Sequence, residues 1–465
     1  MRRLVPSRRI PLSCLVGARS FSAAKWSTPL AKQLHEAISA TGPVPLASYM
    51  RMCLTGDLGG YYSGALAPGR DQFGPKGDFV TSPEICQVFG ELVGLWFVAE
   101  WMSQGRPSKG IELIELGPGR GTLMDDILRT IQLFPDMANA LDSVLLVEAS
   151  EQLRKTQKAL LCGPDALVQE TKLGMQGVGR RLGKPIVWTD SIKSIPIEPD
   201  KTPFIVAHEF FDALPIHSFQ SVLTQNSQPS RPVSCDPASE WREFMVATNL
   251  LNTAASSSST NVPPEFQLML SKSTTRHSRY LPETSLRYRR LKQIPDATIE
   301  ICPDASLFAA EIATRIGGSS LHPKPSPSGA ALVIDYGTSD SVPVNSLRGI
   351  RSHRSVHPLS SPGLVDLSAD VDFTSIAENS TLASDGVEVH GPVLQADFLE
   401  LMGIRERAAM LTKKLDKSKA QDFEKAWKRL VDRGPNGMGK VYKALAIIPE
   451  NQGRRRPVGF GGDVT

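Results

Sequence analysis

An α/β fold built on a doubly wound, largely parallel sheet is predicted by three observations. An apolar run, ELIEL, places Glu115 near its end and passes straight into the glycine turn GPGRGT. A second apolar run, SVLLVEAS, ends in another acid, Glu148. Strand-like runs then alternate with helical periods, the pattern of parallel strands joined by crossover helices.

The glycine turn carries the first functional argument. A turn that closes a buried strand and opens a helix lets backbone approach a ligand and aims N–H groups at it. Dinucleotide sites space their glycines GxGxxG, with an acid about 20 residues further on. Here the glycines stand at Gly117, Gly119 and Gly121, one residue early, and Glu115 would repel a phosphate. S-adenosylmethionine carries a cationic amino group and a sulfonium and no phosphate, so a carboxylate at the strand end suits it. Glu148, at the tip of the next strand, is placed to accept both ribose hydroxyls. Two acids flanking one glycine turn form a methyltransferase arrangement, and a nicotinamide dehydrogenase is disfavoured by the glycine spacing.

In chain order, Pro29 to Ala40 and Pro45 to Leu54 read as short helices. A glycine-rich loop, GDLGGYYSG, follows. Glu84 to Met102 reads as one long amphipathic helix, capped by Thr81 or Ser82 with Pro83 in its first turn. The central unit is strand 111–116, helix 122–133, strand 143–148, helix 150–161, and strands near Ile186 to Trp188 and Phe204 to Ala207. Ile216 to Leu223 and Trp241 to Ala247 suit a hairpin around a polar segment. Ala297 to Cys302 reads as a strand and Ala305 to Ile316 as a helix. The sheet resumes at Ala330 to Asp335 and closes with Val441 to Ile448. Thr253 to Pro264 and Gly317 to Ser328 read as surface loops. The expected division is a leader over 1–25, a helical region over 26–105 that closes the cofactor site, and a catalytic domain over 106–449. That domain would carry substrate-binding insertions at about 216–302, and a flexible tail would occupy 450–465.

The 465 residues carry 41% hydrophobic content, enough for a large core, and a net charge of only +4, which gives no case for nucleic acid. The basic excess sits at the ends. Glu36 is the first acid; before it stand Arg2, Arg3, Arg8, Arg9 and Arg19 among apolar residues and serines. Arginine-rich, serine-rich and acid-free is the composition of a mitochondrial transit peptide, and cleavage near Ser22 is expected. Nothing approaches the ~20 apolar residues of a membrane span. The six cysteines are scattered with no CxxC pair, so neither a disulfide framework nor a zinc site is read from them.

Five blocks in fixed order, GDFVTSPEICQVFGELVGLWF, ELIELGPGRGTLMDDILR, HEFFDALPIHSFQ, ALVIDYG and DLSADVDF, resemble the MidA-like family of mitochondrial protein-arginine methyltransferases that assist respiratory complex I assembly. They span most of Asp57 to Phe373, and Met438 to Ile448 also fits. The polar inserts around 224–240 and 253–264 depart in loop length. The resemblance implies a class I S-adenosylmethionine-dependent methyltransferase fold, and a reducing interior such as the matrix fits the scattered cysteines. The resemblance also implies an arginine acceptor on a complex I core subunit, and no metal. Glu115, Gly117 and Gly119 match the family's cofactor turn and Glu148 its ribose acid.

An arginine acceptor needs a carboxylate to orient its guanidinium, because that group stays protonated below pKa ~12. HEFFDALP follows a strand at the ligand-binding edge of the sheet. Glu209 is therefore the expected clamp, Asp212 its partner, His208 a route for the departing proton, and Phe210 or Phe211 an apolar wall. Asp78, Thr81 and Ser82 are expected to close the cofactor site, with Asp78 on the methionine amino group, and Asp190 to reach the adenine edge. Asp335 and Tyr336 face the same edge. His353 and His357 read as loop residues lining a protein-substrate groove, and Asp366 to Phe373 as either a substrate-positioning segment or a solvated loop. The alternative from another class is a noncatalytic complex I assembly chaperone that binds the cofactor structurally.

Overall fold

The computed structural model describes residues 26–64, 72, 74, 77–223, 239–249 and 264–462. The leader, the expected cleavage point, most of the polar insert at 224–240 and nearly all of that at 253–264 lie outside them. The chain begins with α1 (Pro29–Thr41), β1 (Val44–Pro45) and α2 (Leu46–Thr55). The Thr28 hydroxyl caps α1 by accepting the Ala31 N–H at 2.9 Å, and Leu30, Leu34 and Ile38 form its buried face.

The helix expected over Glu84 to Met102 is two helices, α3 (Ser82–Ile85) and α4 (Gln87–Ser103). Cys86 between them has extended backbone, φ −153° and ψ 119°, which interrupts the ladder. Thr81 is the N-cap of α3, and its N–H donates to Glu84 at 3.4 Å. α4 is buried on nearly every side and so is not amphipathic.

There follow β2 (Ile111–Leu116), α5 (Thr122–Ile131), α6 (Pro135–Ala140), β3 (Leu141–Val147) and α7 (Glu151–Leu161). The short hairpin β4 (Gln169–Thr171) and β5 (Gly174–Val178) leads to β6 (Pro185–Thr189) and β7 (Thr202–His208). An inserted stretch holds β8 (His217–Leu223), β9 (Ser239–Thr248), β10 (Phe266–Leu270), α8 (Arg276–Tyr280), α9 (Leu286–Leu291) and β11 (Thr298–Ile301). Then come α10 (Pro303–Gly317), β12 (Ala330–Thr338), β13 (Arg348–Arg351), β14 (Arg354–Val356), β15 (Asp366–Ser368) and β16 (Val371–Asp372). The chain ends in α11 (Phe373–Ala383), β17 (Val387–Leu394), α12 (Gln395–Leu401), α13 (Ile404–Thr412), α14 (Lys417–Val431) and β18 (Tyr442–Pro449). The elements from α11 to α14 are additions to the sequence reading.

The main sheet runs β17-β18-β12-β7-β2-β3-β6-β5-β4. Its five central strands, β12 to β6 in that order, are parallel, and both flanks are antiparallel. β3 and β6 lie on one side of β2, β7 and β12 on the other, so the order reverses at the strand that carries the glycine turn. Open α/β sheets bind ligands outside the carboxyl ends of their strands at such a switch point. Alternation along the central strands feeds two cores. Leu113, Leu146 and Phe204 point into one, Ile114, Leu145 and Ile205 into the other.

The expected hairpin is present as antiparallel β8 and β9, inside a second sheet ordered β1-β9-β8-β11 with β10 on β9. Residues 450–462 are not a loose tail. Arg455 makes two bonds, 2.8 and 2.7 Å, to the fully buried Glu100, and Trp96 donates its indole N–H to Val458 O at 3.1 Å.

Candidate active site

At the carboxyl edge of the parallel strands a cavity of about 200 Å³ opens between the glycine turn and the N-terminal segment. Glu115, Gly117, Pro118 and Gly119 form its floor, Glu148 and Leu153 one side, and His208, Glu209, Phe210 and Leu214 another. Leu54 and Thr55 at the end of α2, with Tyr62, Phe79, Thr81 and Glu84, cover it from the N-terminal side.

Gly117 and Gly119 have φ of +64° and +53°, where an L side chain is disfavoured. A Cβ on Gly117 would also sit 2.8 Å from the Phe210 ring, so the glycine admits the turn and the neighbouring wall together. Glu115 is 3% exposed, and its Oε2 has no hydrogen-bond partner among the described residues. Burial, reinforced by the charge of Glu148, pushes its carboxyl up to about 8. Glu148 accepts the Ser150 N–H at 2.8 Å and the Gln157 amide at 3.1 Å, and burial outweighs these bonds to lift it to about 7. An orphaned buried carboxylate, a second one beside it and a glycine cradle whose basic residue, Arg120, pairs with Glu84 at 3.4 Å fit a cationic nucleoside cofactor such as S-adenosylmethionine.

The turn after β7 holds the second half of the site. Glu209 has φ +49°, an uncommon conformation for a side-chain-bearing residue that points to a positional requirement. Asp335, on the neighbouring β12, locks that turn: its Oδ2 accepts the N–H groups of Phe210, Phe211 and Asp212 at 3.1, 2.9 and 3.3 Å. Tyr442, on β18, donates its hydroxyl to Glu209 at 2.8 Å, and the Ser82 N–H is also directed at that carboxylate. Burial, with the Asp212 charge adding to it, still lifts Glu209 to about 8. Asp212 and Asp335 are raised chiefly by burial, and Asp366 is raised to about 7 by burial and by Asp212. Asp366 accepts the Tyr62 hydroxyl at 2.9 Å. The result is a buried acidic cluster behind an aromatic-lined opening, an environment that favours a cation.

Several expectations are corrected in detail. Glu115, Gly117, Gly119, Glu148, Thr81, His208 and Glu209 all line the cavity; Asp78, Ser82, Asp190 and Asp212 do not. Asp78 is 3% exposed and its carboxylate is engaged by the Tyr61 hydroxyl at 2.8 Å and the Ser352 N–H at 2.7 Å, which makes it a tether between loops. The Asp190 side chain is 79% exposed and pairs with Arg154. Phe211 packs in the core, which leaves Phe210 as the wall. Burial pushes the His208 imidazole down to about 3, so it is a poor proton acceptor. His353 donates its N–H to Asp78 O at 2.9 Å, and the His357 ring accepts the Leu359 N–H at 3.2 Å. Asp366 to Phe373 is no solvated loop, since it forms β15 and β16 with Asp366 and Ser368 buried. Tyr442 and Tyr62 lie in segments that the sequence singles out, Met438 to Ile448 and GDLGGYYSG, but it assigns them no role, because each acts through a partner far along the chain.

Residues 92–393 match the model of a family described as S-adenosyl-L-methionine-dependent methyltransferases. The zebrafish (Danio rerio) mitochondrial protein arginine methyltransferase NDUFAF7 is 34% identical over 450 residues, covering 96% of this chain and 93% of that protein. The Homo sapiens protein of the same name is 35% identical, covering 91% of this chain and 84% of that protein, and the Drosophila melanogaster homolog is 34% identical, covering 90% and 85%. The fold is shared with a Burkholderia thailandensis structure bound to S-adenosyl-homocysteine, at TM-score 0.64 and 22% identity over 94% of this chain and 96% of that one. With the family model covering well over half of the chain and the curated relatives nearly all of it, the protein belongs to the MidA-like family of S-adenosylmethionine-dependent methyltransferases.

Proposed function

We propose that this enzyme methylates an arginine side chain on a core subunit of respiratory complex I, in the mitochondrial matrix, and so supports assembly of that complex. The observation that carries the acceptor class is Glu209, a buried carboxylate held by Tyr442 on the cavity wall next to the glycine turn. The relatives named as mitochondrial arginine methyltransferases support the same reading.

S-adenosylmethionine supplies, when bound, a methyl group on a sulfonium. Glu115 would hold its cationic amino group, the N–H groups of the glycine turn would face its carboxylate, and Glu148 would hold its ribose. Glu209 grips the guanidinium and turns one nitrogen toward the cavity floor, while Asp212 and Asp366 add negative potential from behind. Phe210 and Leu214 keep water from that face. A guanidinium nitrogen that gains a methyl must release one proton, and Glu209, poised at about 8, is matched to receive it where His208 is not.

The test is methyl transfer from labelled S-adenosylmethionine into complex I subunits from cells lacking the protein. Wild type is compared with Gly119→Val and Glu209→Gln, and cofactor binding is measured for each. Arginine labelling by wild type, lost in Glu209→Gln with cofactor binding intact, is the expected result. Cofactor binding and capture of the subunits without labelling would replace catalysis by the chaperone reading.

A further inference from the structure

Away from the cavity, the inserted sheet brings together three residues that the methyl-transfer site does not use. His217 opens β8, Glu243 lies on β9, and His277 lies in the first turn of α8. One donor atom from each lies within 4.8 Å of the other two. The Glu243 side chain has no solvent exposure, yet among the described residues no lysine or arginine forms an ion pair with it. Its partners are two imidazoles and a hydroxyl: His217 Nδ1 at 2.7 Å, His277 Nδ1 at 3.4 Å, and Thr275.

We propose that His217, Glu243 and His277 form a binding site for one divalent transition-metal ion of the zinc class. Two imidazole nitrogens and a carboxylate oxygen are a recurrent donor set for such ions. A tetrahedral ion about 2.1 Å from each donor needs donors about 3.4 Å apart. The His277 to Glu243 separation already has that value, and the His217 to Glu243 hydrogen bond must open by about 0.7 Å as its proton leaves. Thr275 donates to the second oxygen of Glu243 and also accepts the Ser278 N–H at 3.0 Å, so one hydroxyl orients the carboxylate and caps α8. The His277 side chain is 41% exposed, which leaves a solvent-facing position for a water ligand. Because His217 stands directly after the chain leaves the Glu209 turn through Pro215 and Ile216, the ion would pin α8 and the inserted sheet beside the active site.

The inference is independent of the acceptor proposed above and is tested by metal binding. The full chain, stripped with a chelator, is titrated with ZnCl2 by calorimetry and with CoCl2 by visible absorption, and thermal unfolding is followed with and without Zn2+. Wild type is expected to take one ion, to show intense low-symmetry Co2+ bands and to unfold at higher temperature with Zn2+. His277→Ala, whose side chain is partly exposed, should weaken Zn2+ at least tenfold while S-adenosylmethionine binding persists. His322→Ala, an exposed histidine elsewhere, should leave Zn2+ binding unchanged. Wild type without stoichiometric Zn2+, or His277→Ala binding it as well as wild type does, overturns the site and leaves a hydrogen-bonded triad.

Discussion

Replacing Tyr442 by Phe removes one hydroxyl from behind Glu209 and keeps its ring, which packs 4.3 Å from that of Tyr336. The lost bond is the 2.8 Å donation to Glu209. A hydrogen bond to a charged group contributes about 1.5–3 kcal/mol, which corresponds to about 1–2 pKa units in the carboxylate it stabilises. Glu209 already stands at about 8 through burial and Asp212. Loss of the bond moves it to about 9–10. The sign follows from the proposed role: a clamp that works as a carboxylate loses activity as pH falls through this pKa, and the variant needs a higher pH to recover it. At pH 7.5 the ionised fraction, and with it kcat/KM, drops by about 10- to 100-fold. The assay is initial-rate methyl transfer across pH 6.5 to 10, with S-adenosylmethionine binding measured in parallel. An acid limb that stays in place, whatever the rate, refutes the argument. So does a loss of cofactor affinity equal to the loss of rate.

Two further outcomes follow from the same electrostatics. Burial and Glu148 hold Glu115 up at about 8, and a cationic ligand favours its ionised form, so cofactor binding releases a proton below that pH. Affinity should rise by up to about tenfold per pH unit between roughly 6 and 8 and level off above, and Glu115→Gln should flatten most of that slope; calorimetry in two buffers of different ionisation heat detects the proton, and equal slopes would contradict the assignment. Arg455→Ala, or truncation after Pro449, leaves Glu100 buried and unpaired and should destabilise the fold by about 3–5 kcal/mol, read from denaturant unfolding. An unchanged midpoint after truncation would restore the view of this segment as a loose tail.

What was legible in the sequence, and what was not, divides along the range of the interactions. Glu115, Gly117, Gly119 and Glu148 are local statements: an acid at a strand tip followed by a glycine turn has few other uses, and the parallel sheet follows from the strands around it. The Glu209 turn was also legible as HEFFDALP at a strand end. What holds it was not. Asp335 reaches that turn from 123 to 125 residues away and Tyr442 reaches Glu209 across 233. No periodicity announces either contact. Asp78 and Asp190 failed for the complementary reason, since an acid near a motif in sequence need not face the cavity, and theirs are engaged by Tyr61 with Ser352 and by Arg154. Between α11 and α14 the pattern itself is weak. β17 carries Gly391 and Pro392, which read as a turn, and α14 buries only Leu430.

The same division explains why the site is assembled as it is. The proposed cofactor residues come from adjacent parallel strands, whose tips the sheet places side by side. The acceptor side instead draws on β7, β12, β15, β18 and the N-terminal segment, so its carboxylates meet only after the whole domain has closed. Burial and mutual repulsion raise the pKa of Glu209, Asp212, Asp335 and Asp366, even with the Arg348 guanidinium facing Asp212. In the proposed reading, a guanidinium beside Glu209 favours its ionised form, so this carboxyl gives affinity for a cationic side chain. Lysine would relieve the charge as well. The fork geometry of arginine matches a carboxylate fixed by a tyrosine hydroxyl and a backbone N–H, and a compact ammonium does not. Transfer into an arginine-containing peptide and failure of its lysine counterpart is therefore the outcome this arrangement requires; equal transfer to both would show that charge alone, and not the shape of the Glu209 clamp, selects the acceptor.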